Sequence, residues 1–182
     1  MRELALHLLD IVENSAAAQA TRICIEVIED IENDRLNMKI IDNGKGMDDE
    51  MVKKVTDPFV TSRTTRKVGL GIPLLKEAAE ACNGSLAITS QVGVGTTINV
   101  DFQRSHIDRM PLGDLATTFM NLMIVHPAIQ FIFQYKVGND EFYLDDQTIK
   151  QELEGVPLTE PVILSFLRTL FETGVADIQP AA

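Results

Sequence analysis

A short apolar run, Lys39-Ile40-Ile41, ends in the carboxylate of Asp42 and passes at once into Asn43-Gly44-Lys45-Gly46-Met47. No other stretch constrains the chain as much. The run reads as a strand, and glycines spaced by one residue let the backbone turn tightly and approach another surface closely. A carboxylate at the lip of a strand can accept hydrogen bonds from a ligand amine. Bare glycine backbone beside it leaves room for a flat ring such as adenine. Asn-Gly between apolar runs is also the strongest short hairpin signal, so this stretch alone leaves both a plain turn and a binding lip open.

The flanking residues supply a sheet. Residues 21–29 alternate Ile23, Ile25 and Val27 with Arg22, Cys24 and Glu26, as a half-buried strand does. An acidic turn over 30–34 leads to a second strand over 36–41, antiparallel to the first, which delivers Asp42 to the end of the sheet. Upstream, residues 3–19 read as a two-sided helix: Leu4, Leu8, Ile11, Ser15 and Ala18 form one stripe, and His7, Asp10, Asn14 and Ala17 a second. Asp10 and Asn14 are four residues apart, one above the other. They either present a carboxylate and an amide to one pocket or are exposed polar residues of a surface helix.

Beyond the glycine turn, Asp48 and Asp49 open a short helix through residue 54, where acidic side chains suit the helix dipole. Val60-Thr61-Ser62-Arg63-Thr64-Thr65-Arg66-Lys67 then offers hydroxyls and positive charge and little that could pack a core, which reads as a mobile lid. Val68-Gly69-Leu70-Gly71-Ile72-Pro73 leads into a helix over 74–82 that Asn83-Gly84 stops. A glycine-rich loop opening a helix suits phosphate, because unpaired amides and the positive end of the dipole converge there. The Lys-containing phosphate loop G-x-x-x-x-G-K-[ST] is absent from the sequence. Two more strands, 86–90 and 96–102, flank the turn Gln91-Val92-Gly93-Val94-Gly95.

The length, 182 residues, suits one domain with an extension. A formal net charge of -11 argues against binding nucleic acid. Cys24 and Cys82 stand apart with neither zinc-ligand nor disulfide spacing, as expected of free thiols in a reducing cytoplasm. The most apolar stretch, 120–133, is broken by Asn121, His126, Pro127 and Gln130, so no membrane span is expected. The expectation is a soluble cytoplasmic protein.

Asn14 on the first helix, Asp42-x-Gly44-x-Gly46 at a strand end, Gly69-x-Gly71 at a helix start and Gly93-x-Gly95-Thr96 before the last strand follow one another in a characteristic order. Over residues 1–104 this resembles the GHKL ATPases, the superfamily of DNA gyrase, a heat-shock chaperone, histidine kinases and MutL. Val12-Glu13-Asn14-Ser15 with Ala20-Thr21-Arg22-Ile23 is most similar to the MutL helix, and Asp57-Pro58-Phe59 followed by Gly69-Leu70-Gly71-Ile72 to the histidine kinases. The resemblance implies a Bergerat-type α+β two-layer sandwich, a mixed sheet with helices on one face. It implies ATP and Mg²⁺ as ligands: Asn14 on the magnesium, Asp42 on the adenine amine, Gly44 and Gly46 beneath the base, and Thr96 supporting its edge through water. Arg63, Arg66 and Lys67, with the Gly69-Leu70-Gly71 backbone, would meet the phosphates.

Two departures bear on chemistry. Hydrolysing members carry a glutamate one turn before the asparagine to polarise water, and here that residue is Asp10, shorter by one methylene. General-base catalysis depends on reach, so slow hydrolysis or none is expected. Glu13, adjacent to Asn14, is rotated about 100° around the helix and should point elsewhere. The helical hairpin that carries the acceptor histidine of histidine kinases does not fit before the first helix. None of His7, His106 and His126 stands out as a phosphoacceptor.

The functions expected are therefore a stand-alone kinase acting in trans on an unidentified protein, or a slow ATPase, possible as a homodimer. The alternative is a nucleotide-gated, anti-sigma-like interaction module without catalysis. Residues 105–182 carry no recognised motif and read as a small α/β extension: a helix over 111–125, a hairpin around Gly138-Asn139-Asp140, and a closing helix over 160–172 whose Ile163, Leu164, Leu167, Leu170 and Phe171 pack a core or meet a partner.

Overall fold

Alternating burial organises the protein. In the computed structural model, which describes residues 3–56 and 71–179, β1 (Arg22–Asp30) and β2 (Arg35–Asp42) form the expected antiparallel hairpin. Ile23, Ile25 and Val27 of β1 and Leu36, Met38 and Ile40 of β2 all point to one face and are buried there. The opposite face is polar. On it Glu26 pairs with Lys39 across the hairpin at 3.7 Å, and the Asn37 amide donates to Asn99 and Asp101. A one-residue slip would put Glu26 and Lys39 into the core, so side-chain chemistry fixes this register.

The other elements in chain order are α1 (Leu4–Ala17), which precedes β1, then α2 (Asp49–Val55), α3 (Gly71–Ala81), β3 (Ser85–Gln91), β4 (Gly95–Gln103), α4 (Leu115–Val125), β5 (Gln130–Val137), β6 (Asp140–Asp145), α5 (Asp146–Glu152) and α6 (Pro161–Ala176). The strands form one six-stranded sheet in the order β3-β4-β2-β1-β5-β6. It is mixed: β1 pairs in parallel with β5 and every other pairing is antiparallel. With α1, α3, α4 and α6 contributing to the core on its apolar face, this is the two-layer α+β sandwich expected. No described helix is long and apolar enough to cross a membrane.

Residues beyond 104 extend this same sheet. The Arg104 guanidinium and the Tyr135 hydroxyl each donate to the Glu29 carboxylate at 2.7 Å, tying the end of β1 to β5. Burial and this carboxylate together push the Tyr135 phenol far above its ordinary pKa, so it stays a neutral donor. Behind it Phe119 stacks on Phe133 at 4.7 Å, and Phe171 of α6 meets Phe133 edge-on at 5.5 Å. Leu167 and Phe171 are fully buried, so this face of α6 packs core.

Several boundaries differ from the periodicity: α1 stops at Ala17 and α6 runs on to Ala176. The helix expected over 111–125 begins only at Leu115, because Gly113 has a positive φ and the Asp114 side chain caps Thr117 N–H. The residues before it accept backbone bonds from Leu4 and Ala5. α3 begins earlier, at Gly71, with Pro73 in its first turn where a missing N–H costs nothing. α5 had no expected counterpart, and it starts with its own cap, Asp145 accepting from Gln147 N–H.

Candidate functional site

Strand geometry carries Asp42 to the end of β2, opposite Thr96 of β4. There its carboxylate is already engaged. Oδ2 accepts from the Ser15 hydroxyl at 2.7 Å, and Oδ1 accepts from Gly44 N–H at 2.9 Å and Thr96 N–H at 3.3 Å. A carboxylate has about four acceptor positions. Three are filled from within the protein, which fixes the group's orientation and, among the described residues, leaves one open on a half-exposed side chain.

The turn after Asp42 is shaped by contacts that only glycine permits. A side chain at Gly44 would meet the Ala18 carbonyl at 2.8 Å. Gly46 has φ +66°, and a Cβ there would overlap the Gln91 carbonyl. Lys45 N–H donates to Ala18 and the Lys45 carbonyl accepts from Gly93, so the turn is laced on one side to the end of α1 and on the other to the β3–β4 turn. Ser90 completes this corner: its hydroxyl accepts from Met47 N–H at 2.8 Å and lies 2.8 Å from the Thr96 hydroxyl and 3.0 Å from the Gly95 carbonyl. Ser15 and Ser90 were not singled out by sequence reasoning. Their partners are remote in sequence, and a serine in an apolar stripe gives no local signal.

α1 links this corner to the head of α3. Ser15 touches Asp42, while a Cβ placed on Gly71 would lie 3.1 Å from Asp10 Oδ2. Positions 10 and 15 lie about 7.5 Å apart along a helix axis, and Asn14 falls between them. Asp10 and Asn14 are exposed, and Glu13 is turned away to His126, 2.9 Å from its Nε2. His7, expected on the polar stripe, is instead buried at 3% exposure, and its Nδ1 has no partner among the described residues. Burial pushes its pKa below the ordinary value, with Asp10 and the Gly71 backbone pulling the other way. Arg63, Arg66, Lys67, Gly69, Leu70 and the Asp57-Pro58-Phe59 run lie outside the described residues. Among those described, no group of three or more His, Cys, Asp or Glu could hold a metal ion by itself.

Residues 2–106 match the family described as histidine kinase-, DNA gyrase B-, and HSP90-like ATPase. A putative sensor histidine kinase NtrY-like of Rickettsia typhi is 35% identical over 78 residues, which are 43% of this chain and 13% of that protein. The sensor histidine kinase YvrG of Bacillus subtilis is 31% identical over 84 residues, 44% of this chain and 14% of that one. The matched stretch thus spans about one seventh of these relatives. Among solved structures, the Aquifex aeolicus MutL ATPase domain complexed with ADP overlaps 85% of this chain and 68% of its own, with a TM-score of 0.47 and 16% identity. The catalytic domain of the histidine kinase ThkA overlaps 57% and 68%, with a TM-score of 0.45 and 21% identity.

Proposed function

The chain belongs to the histidine kinase-, DNA gyrase B- and HSP90-like ATPase family, and on that premise we propose that it binds Mg-ATP at the Asp42 corner and passes the terminal phosphoryl group to a partner protein. The observation that carries this reading is the open acceptor position on Asp42, held in orientation by Ser15, Gly44 and Thr96. An adenine amine fits that position, since it brings a donor where only a donor is wanted. In this reading the Gly44–Gly46 turn, packed against Ala18 and Gln91, lies beneath the base, and the Ser90 and Thr96 hydroxyls can hold a water at its edge. Selectivity for adenine over guanine follows, because guanine presents a carbonyl where adenine presents its amine.

Asn14, exposed on α1 between the Asp42 corner and Gly71, suits a single protein ligand to a magnesium ion that arrives with the nucleotide. The ion, when bound, neutralises phosphate charge. Arg63, Arg66 and Lys67, with the Gly69-Leu70-Gly71 backbone, take the phosphates in this reading, and α3 offers them its N-terminus. Asp10 lies beside Gly71, at that end of the site. Its short side chain holds back attack by water, because a displacement of about 1 Å costs on the order of a hundredfold. That favours transfer over hydrolysis, and it equally supports a second reading in which bound ATP is kept intact and only sets the protein's interactions.

The test is calorimetric titration with ATP and with GTP, both with Mg²⁺, followed by incubation with γ-³²P-ATP alone and with lysate fractions. ATP-selective binding with label moved to a protein supports the kinase reading. Rapid release of free phosphate would make the protein an ATPase, intact bound ATP would make it a switch, and no binding would refute the proposal.

A further inference from the structure

One row of side chains crosses the end of the sheet. Asp42 of β2 stands opposite Thr96 of β4, and Thr96 stands opposite Ser90 of β3. By strand alternation the three share the face that carries Ile40, Ile98 and Ile88, each two positions further in. Ser90 is the member of the row whose bonding can be counted to completion. A hydroxyl has one proton to give and two lone pairs to fill. The Ser90 oxygen lies 2.8 Å from the Met47 nitrogen, 3.0 Å from the Gly95 carbonyl and 2.8 Å from the Thr96 hydroxyl. The first of these groups can only donate and the second can only accept. The single Ser90 proton therefore goes to Gly95, one lone pair takes Met47 N–H, and the third contact is a hydrogen bond only if Thr96 donates it. No other arrangement of protons makes all three bonds. Its consequence falls on Thr96, whose oxygen is left with lone pairs alone. The Asp42 carboxylate beside it also only accepts.

We propose that Ser90 is a positioning residue for nucleotide binding: it takes the Thr96 proton and so fixes Thr96 as an acceptor at the base edge. The inference rests on the Mg-ATP reading of the Asp42 corner and deepens it. Of the two hydroxyls, Thr96 is the one with lone pairs left for a water at that edge, so the pair holds the water through Thr96. The water donates one proton to Thr96, and its other proton is free for a ring nitrogen beside the adenine amine. Ser90 itself has nothing left to offer a ligand, and its effect passes through its neighbour. Without Ser90 the Thr96 proton rotates freely, and orienting it lowers the affinity that remains.

Two measurements on the full chain test it. Neutron diffraction from the perdeuterated protein without nucleotide locates the deuterons: that of Thr96 is expected on the line to Ser90, and that of Ser90 on the line to Gly95. A Ser90 deuteron directed at Thr96 would overturn the proposal. Calorimetric titration with ATP and Mg²⁺ then compares wild type, Ser90→Ala, Thr96→Val and the double variant, each checked first by thermal melt. Ser90→Ala alone should weaken binding about three- to tenfold. In the Thr96→Val background the same change should weaken it by less than about twofold, since the group through which Ser90 acts is gone. A Ser90 that only braces the Met47 turn would weaken binding equally in both backgrounds, and that result would sink the proposal with the nucleotide reading intact. If a variant does not fold, the deuteron positions in the wild-type protein decide. Wild-type protein that binds no ATP would refute the nucleotide reading itself, and this role with it.

Discussion

Replacing Asp42 by Asn tests the adenine reading at the atom on which it rests. The side chains have the same shape, so the Asn carbonyl can stay at Oδ1 and keep its bonds from Gly44 and Thr96 N–H. The amide nitrogen then replaces Oδ2, facing Ser15, whose hydroxyl can turn round to accept. The fold should therefore survive, with the melting temperature lowered by less than about 5 °C. Binding should not survive as well: the negative charge is lost, and the open position offers a donor to a donor. A hydrogen bond to a charged group contributes roughly 1.5–3 kcal/mol. At about 1.4 kcal/mol per decade, the ATP dissociation constant should rise between about ten- and 150-fold. Calorimetry measures the constant and a thermal melt checks the fold. Affinity within about threefold of wild type, in a protein that melts normally, would show that Asp42 does not hold the base.

Three other outcomes follow from the packing. Gly46→Ala forces a positive φ on alanine and drives its methyl into the Gln91 carbonyl, so stability should fall by more than about 1 kcal/mol in a urea titration. Tyr135→Phe removes a buried donor to Glu29 while Arg104 still holds the other oxygen, and the same titration should show a loss of about 1–3 kcal/mol. For His7 the folded pKa lies below the ordinary 6.5, so the unfolded chain binds more protons as pH falls through 6.5. The stability associated with neutral His7 is complete above that value and is lost on acidification from 6.5 toward the folded pKa; His7→Gln should flatten this part of the pH–stability curve.

The strand end, the glycine turn and the helix stripe were legible in the sequence because their signals are local. Alternation at Ile23, Ile25 and Val27, a carboxylate before Gly44-x-Gly46, and apolar residues at helical spacing each lie within a few residues. What holds Asp42 was not legible. Ser15 lies 27 residues upstream and Thr96 lies 54 downstream, and only the sheet order brings them together. His7 shows the opposite failure, since helical spacing grouped it with Asp10 and Asn14, yet the neighbourhood of α3 buries it. The parallel partner of β1 could not be read locally either, because β5 looks like any hairpin strand until its neighbour is known.

That parallel pairing has a consequence for how the chain is made. Arg22 to Glu29 sit beside Gln130 to Val137, so the middle of the sheet is missing a neighbour until most of the polypeptide has been synthesised. Distant pairings of this kind slow folding, and meanwhile an apolar strand with one side open is prone to sticking to other chains. A fragment stopped near residue 106, where the family match ends, would make that passing state permanent: β1 would become a raw edge and Glu29 would lose Tyr135. Although the family match ends there, the sheet and its buried core run on through β5 and the helices that cover it.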